Sequence, residues 1–523
     1  MALRKLIAAA VAALALSGPA IAAPDMATVA QGVLHGQVEG GVAVFKAIPF
    51  AQAPVGELRW RPPQPPKPWP SVREATAFGP VCTHMTKGGP SFGQPQSEDC
   101  LFLNVWTPAH HPAGAKLPVM VWIHGGSFTA GSGTTPLYDG ARFARRGIVL
   151  ITVEYRLGRL GFFAHPALSA EHPDEPQGNY GLMDNIAALK WVQANAAAFG
   201  GDPANVTVFG ESAGGILVND LMASPQARGL FAKAISQSGF GRTAGPPIRG
   251  EAPRTAEKTG AAWAATQGVS GSGPEAAKAL RALSLQQLSI PVGGITDPNQ
   301  PQPMIDGQVL PQSPADAFAA GREAPVPYIV GGNSFEASLF RDALANPALI
   351  LARAGPLRDA VVTAYGGPSD LTAVAADFVT DLTVIEPDRA LARLHVKNGH
   401  KAWVYYMSYL PAAERGAVRG VEHAGELEYV FGTLADHPVT RGGRAIPAAT
   451  DQDRKISEAM NAYWAAFATR SDPGKAGGPA WPAYDLATDP VLEFGPDGVL
   501  ARPQFRKAAL DLAEKVAEAG GLR

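Results

Sequence analysis

Val206, Thr207, Val208 and Phe209 run into Gly210-Glu211-Ser212-Ala213-Gly214-Gly215, which reads as a short strand, a G-x-S-x-G turn and the start of a helix. At such a turn a serine hydroxyl is thrust out on a sharply folded backbone, and the helix N-terminus faces any negative charge that develops beside it. The chemistry this suits is nucleophilic attack on an acyl carbon. Gly89-Pro90-Ser91-Phe92-Gly93 matches the same five-residue pattern, so the pattern alone is weak. Ser91 has no strand before it and follows a proline directly, so only Ser212 has the required context. An attacking serine also needs donors for the oxyanion. His124-Gly125-Gly126-Ser127-Phe128, directly after the apolar run Pro118–Ile123, can supply backbone N–H groups, each worth about 3 kcal/mol to a tetrahedral intermediate.

These groups need rigid elements to hold them. Apolar, β-branched runs recur at Pro118–Ile123, Ile148–Tyr155, Val206–Phe209, Ala232–Ser236, Val326–Val330 and Ala402–Tyr409, as buried parallel strands require. Helical patterns lie between them, the clearest from Asn185 to Phe199, where Ile186, Leu189, Val192 and Ala196 share a face and Gly200-Gly201 marks the stop. Alternating strands and helices predict an α/β fold with a large, mostly parallel, twisted central sheet flanked by helices. Residues 31–48 read as an antiparallel meander and Arg61–Pro70 as an extended, proline-rich surface segment. The alanine-rich stretches 251–290 and 341–400 read as helical insertions over one edge of the active site.

Composition narrows the class further. Arg4 and Lys5 precede an apolar run from Leu6 to Leu16, then Ser17-Gly18-Pro19 and Ala20-Ile21-Ala22-Ala23, the layout of an export signal cleaved near Ala22 or Ala23. That run falls well short of the roughly 20 apolar residues of a spanning helix, and no later stretch is long and apolar enough for one. The expectation is a secreted or periplasmic chain, with a signal over 1–23 and one domain over 24–523. The formal charge of −2 becomes −4 without the signal, which offers nothing to nucleic acid or an anionic membrane. Neither composition nor pattern fixes an oligomeric state. The cysteines, Cys82 and Cys100, would be paired in an oxidising compartment, two free buried thiols being the alternative.

Several motifs in order then identify a resemblance to the type-B carboxylesterases, the family of cholinesterases and bacterial para-nitrobenzyl esterases. They are Leu58-Arg59-Trp60-Arg61-Pro62-Pro63, Ser97 to Val105, the His124 loop, Tyr155-Arg156, Gly200-Gly201-Asp202-Pro203 and the Ser212 turn. The resemblance runs almost end to end after the signal. It implies an α/β-hydrolase fold and oxyanion donors at Gly126, Ser127 and Ala213. It also implies a Cys82–Cys100 disulfide and an ion pair between Glu98 and Arg156. Ser127 stands where many members have glycine or alanine.

The fold's chain order of serine, acid, histidine leaves His395, His400, His423 and His437 as candidate bases. His395 and His400 belong to a helical segment, and His437 precedes Pro438 in a loop. His423 follows the last strong strand by a loop, and the stretch from His423 to Gly432 is similar to the family's histidine motif. Glu336 fits the acid by order and spacing in Asn333-Ser334-Phe335-Glu336-Ala337, although Phe335 and Ala337 depart from the family's usual acidic residue and glycine. Its rival Asp306 lies in Met304-Ile305-Asp306-Gly307, similar to a structural Asp-Gly turn of the family. Glu211 and Ser238 match supporting positions of the site, an ordinary buried polar role being the alternative.

The expectation is a serine hydrolase working through an acyl-enzyme on uncharged carboxylic esters, with no metal or organic cofactor. The loop enclosed by Cys82 and Cys100 lacks the tryptophan on which cholinesterases bind a quaternary ammonium, so choline esters are not expected. A lipase or amidase of the same fold is the alternative among enzymes. A non-catalytic, cholinesterase-like adhesion module is the alternative outside them, but such modules typically lose the nucleophile or its partners.

Overall fold

The computed structural model describes residues 24–85, 93–112, 114–290, 297–437, 439–441 and 444–521. The expected signal and Ser91 lie outside the described residues.

An eleven-stranded sheet forms the centre. Its strands are β1 (Gln37–Glu39), β2 (Val42–Pro49), β3 (Phe102–Pro108), β4 (Leu117–Ile123), β5 (Val149–Val153), β6 (Gly201–Glu211), β7 (Lys233–Gln237), β8 (Tyr328–Asn333), β9 (Ala402–Met407), β10 (Val491–Gly495) and β11 (Gly498–Arg502). In space the order is β11-β10-β9-β8-β7-β6-β4-β5-β3-β2-β1. Pairing is parallel from β10 through β5 and antiparallel at both margins. The antiparallel margins include part of the expected N-terminal meander, and Arg61–Pro70 forms no strand or helix.

The strand alternation explains why these runs are apolar throughout. Val119, Val121 and Ile123 of β4 join a core with Val149, Ile151 and Val153 of β5, whereas Met120, Trp122 and Leu150 face a second core on the opposite side. The first core is covered by helices α1 (Tyr180–Asn195) and α2 (Ala213–Ala223) through Ile186, Leu189, Leu217 and Leu221. The second is covered by α4 (Asp451–Arg470), with Ile456, Met460, Trp464 and Phe467, which follows α3 (Glu386–Lys397) in the chain. Both faces of the sheet are therefore sealed from water.

Helix α1 starts five residues before the pattern expected and passes into a 3-10 turn at Ala196–Phe199. Gly200 ends it at φ 78°, a left-handed conformation for which glycine has no Cβ penalty. Residues 251–290 and 341–400 are helical as expected. Within the second stretch α3 stands apart, since it is the crossover between β8 and β9 and packs on both strands. No helix among the described residues is long and apolar enough to cross a membrane.

Cys82 and Cys100 form a disulfide. Closing a loop of this size constrains the unfolded chain by about 3 kcal/mol. Replacing both cysteines by alanine should lower unfolding free energy by about that amount, read from urea midpoints against the oxidised protein. An unchanged midpoint would show that the loop contributes no such constraint.

The expected Glu98–Arg156 ion pair does not form. Glu98 instead pairs with Arg59, Nε to Oε2 at 2.7 Å and Nη2 to Oε1 at 2.5 Å. Arg156 is held by Asp184 of α1, which accepts from its backbone N–H at 3.0 Å, Nε at 2.8 Å and Nη2 at 2.7 Å. Arg156 and Asp184 are almost wholly buried, and a guanidinium there needs a carboxylate matched to its fork. Asp184 supplies both oxygens, leaving Glu98 to Arg59, whose Nη1 also donates to the carbonyls of Arg281 and Leu283.

Candidate active site

Strand β6 delivers Ser212 at the start of α2 with φ 57° and ψ −124°, a strained conformation for a residue with a Cβ. Its N–H donates to the Gln237 carbonyl at the end of β7, 2.9 Å away, which anchors the turn to the neighbouring strand. The motif's glycines follow from this crowding. A Cβ on Gly210 would lie 2.6 Å from the Gly214 carbonyl carbon, and one on Gly214 would lie 2.0 Å from the Ile123 oxygen. Neither position can hold another residue without opening the turn.

The His124 loop passes directly over this serine. A Cβ on Gly125 would sit 3.0 Å from the Ser212 Cβ, and one on Gly126, at φ 112°, would sit 2.1 Å from the Ala130 oxygen. Ser127 has φ 55°, so its side chain is held in the left-handed region that glycine adopts at least cost. Ser127, Ser212 and Ala213 line one cavity of about 760 Å³. His124 itself is buried and stacks on Tyr155 with ring centroids 4.5 Å apart. Burial lowers its pKa to about 4, so it is a neutral structural group.

Glu336, just past β8, and His423, in the loop after β9, meet with Nδ1 2.5 Å from Oε2. The other oxygen of Glu336 accepts from Ser238 Oγ at 2.6 Å and from the Asn333 N–H at 2.8 Å, so the fully buried carboxylate has one oxygen fixed and one directed at the imidazole. The His423 N–H donates to Ser338 Oγ at 3.0 Å. On the far side of the ring, Nε2 lies 3.0 Å from Glu211 Oε1. The departures at Phe335 and Ala337 are absorbed without strain: both are buried, Ala337 needs no positive φ, and its N–H reaches Thr380 Oγ1 at 3.0 Å.

Glu426 carries no role in the sequence reading, although it lies three residues after His423. It is buried, accepting from Gln237 Nε2 at 2.9 Å and Asn333 Nδ2 at 2.6 Å, while Gln237 Oε1 takes the Trp464 indole N–H at 3.0 Å. Three buried carboxylates thus surround one imidazole. Burial alone would lower the His423 pKa, but the charges of Glu211 and Glu336 outweigh it and hold it above the ordinary value. Glu211 is itself raised, by burial first.

The rivals stand elsewhere. Asp306 Oδ1 accepts the N–H groups of Gln308, Val309 and Leu310 at 2.8 to 2.9 Å, as a turn-forming residue does, and Gly307 sits at φ 80°. His395 is buried between Glu323 and the Val326 carbonyl, the His400 ring lies tilted against it with centroids 4.8 Å apart, and His437 is exposed.

The model of the carboxylesterase family matches residues 23–354 and 357–512. The chain belongs to the carboxylesterase family. This carboxylesterase is 38% identical over 471 residues to a fumonisin B1 esterase of Sphingopyxis macrogoltabida, covering 88% of this chain and 84% of that one. It is 34% identical over 489 residues to a para-nitrobenzyl esterase of Bacillus subtilis (strain 168), covering 90% of this chain and 94% of that one. A solved para-nitrobenzyl esterase structure superposes with a TM-score of 0.77 at 32% identity, over 94% of this chain and all of the other. The fold is an α/β hydrolase and the enzyme hydrolyses carboxylic esters.

Proposed function

We propose that this carboxylesterase uses Ser212 as nucleophile, His423 as general base and Glu336 as the acid that orients the base. The contact between His423 Nδ1 and Glu336 Oε2 at 2.5 Å is the observation that carries the reading, because it commits Nδ1 to the carboxylate and makes Nε2, which lies 3.0 Å from Glu211 Oε1, the nitrogen that takes a proton. As the Ser212 oxygen attacks the ester carbonyl, Nε2 takes its proton, and the backbone N–H groups of Gly126, Ser127 and Ala213 receive the oxyanion. The protonated imidazole then gives its proton to the departing alcohol. Water, activated by the same nitrogen, attacks the acyl-enzyme and releases the acid. Ser238 and Asn333 keep Glu336 from rotating away. The chemistry requires no metal or organic cofactor.

The folded residues form one domain of a chain exported to the periplasm or beyond after loss of residues 1–23, a reading supported by the layout of that segment. Para-nitrophenyl esters of graded acyl length, with and without a serine-reactive phosphonate, test the function. Rapid turnover of the esters, abolished by stoichiometric phosphonate on Ser212, is expected. Phosphonate-resistant turnover would refute the nucleophile.

The carboxylates around His423 predict its pH behaviour. The imidazole must be neutral to accept a proton, and its pKa is raised, so kcat/KM should climb with pH through a midpoint above the unperturbed 6.5. Glu211→Gln removes the largest charge raising it and should move that midpoint downward. A midpoint unmoved in this variant would show that Glu211 does not act on the base electrostatically.

A further inference from the structure

The cavity onto which Ser212 opens is lined by two arginines, Arg242 and Arg353. Arg242 is tied to the buried Glu386, Nε to Oε2 at 2.9 Å and Nη2 to Oε1 at 2.6 Å. Its Nη1 has no partner among the described residues, while Glu514 and Glu518 act on it from farther off. Arg353, just after the helix Pro347–Ala352, makes no side-chain hydrogen bond or ion pair among the described residues. It is exposed by area, yet enough protein surrounds its guanidinium to lower its pKa, and no carboxylate offsets that effect. The aspartates on the same wall are otherwise engaged. Asp316 accepts from Ser313 Oγ at 2.6 Å, and Asp297 exerts its charge on Arg159 in an adjoining cavity.

A guanidinium that lines a cavity with no counter-charge among the described residues can receive an anion there, and its planar fork matches the two oxygens of a carboxylate. We infer that the site takes, beyond uncharged esters, esters carrying a free carboxylate remote from the scissile bond, received by Arg353 and the open edge of Arg242. The inference rests on Ser212 as the nucleophile of this cavity. The remote carboxylate does not react: only the ester bond at Ser212 is exchanged for water.

The test compares mono-para-nitrophenyl esters of straight-chain dicarboxylic acids, from adipate upward, with terminal carboxamides of equal length, after subtracting spontaneous hydrolysis. At the best length the carboxylate form should have a kcat/KM about tenfold higher at low salt, as suits one hydrogen-bonded ion pair, and the advantage should shrink as salt is added. Arg353→Gln should bring the ratio of the two substrates close to one, and Arg353→Lys should retain part of it. Because Arg353 is exposed and unpaired, these variants should fold, which thermal unfolding checks. A ratio of one or less at every length, or a wild-type ratio in Arg353→Gln, overturns the inference while carboxamide turnover leaves the ester-hydrolase reading standing. If neither substrate is hydrolysed, that reading and the inference fail together.

Discussion

Ser212→Ala should reduce kcat by about 10⁶-fold, the scale on which a serine nucleophile and its base act as one unit, while the protein remains folded. Alanine keeps the Cβ that Ser212 already carries at φ 57°, and the bond anchoring the turn is made by the backbone N–H, so neither strain nor anchoring changes. The serine's hydroxyl is all that is removed. Ser91→Ala, in the other G-x-S-x-G match, should leave kcat near wild type. Burst release of para-nitrophenol, measured with circular dichroism on the same samples, checks both variants. A folded Ser212→Ala enzyme with wild-type turnover would remove the basis of the mechanism.

Glu336→Gln should lower kcat by up to about 10⁴-fold with little change in KM, since the amide can hold the wrong imidazole tautomer and no longer stabilises the imidazolium. Its size and burial are preserved, so the fold should survive. Asp306→Asn should behave in the opposite way. Asp306 Oδ1 accepts three backbone N–H groups, and weakening bonds to a charged acceptor should cost about 1–3 kcal/mol of stability while kcat per folded molecule is kept. Measuring kcat and the melting temperature of both variants separates the roles. An active Glu336→Gln enzyme beside a folded, inactive Asp306→Asn enzyme would reverse the assignment.

How far these roles could be read without coordinates depended on the range of the interaction. The six strongest apolar runs all became strands of the central sheet, because burial on both faces demands apolar side chains at every position and leaves a signal within a few residues. The Ser212 turn and the His124 loop were legible for a related reason. Their glycines are required by backbone contacts shorter than any Cβ could tolerate, so a local steric demand is written as a local pattern. The helices of 251–290 and 341–400 were legible as helices, but their tasks were not. α3 closes the β8–β9 crossover, whereas the helix Ala256–Thr266 lines a cavity beside the one at Ser212.

By itself, the sequence determined the strand–turn–helix that presents Ser212, the glycines that bring the His124 loop against it, and the order in which Glu336 and His423 follow. Each of these depends on backbone sterics or on burial along a single element. The tertiary structure decided the partners of buried charges. Glu98 and Arg156 are both placed by family pattern, yet each pairs with a different residue, because Asp184 reaches Arg156 from a helix that only the packed sheet brings there. Glu426 meets Gln237 across 189 positions of chain, and Arg353 comes to the cavity of a serine far before it in sequence. A buried charge is stable only beside groups that compensate it, and those groups are chosen by which elements meet in space, for which spacing along the chain carries no signal.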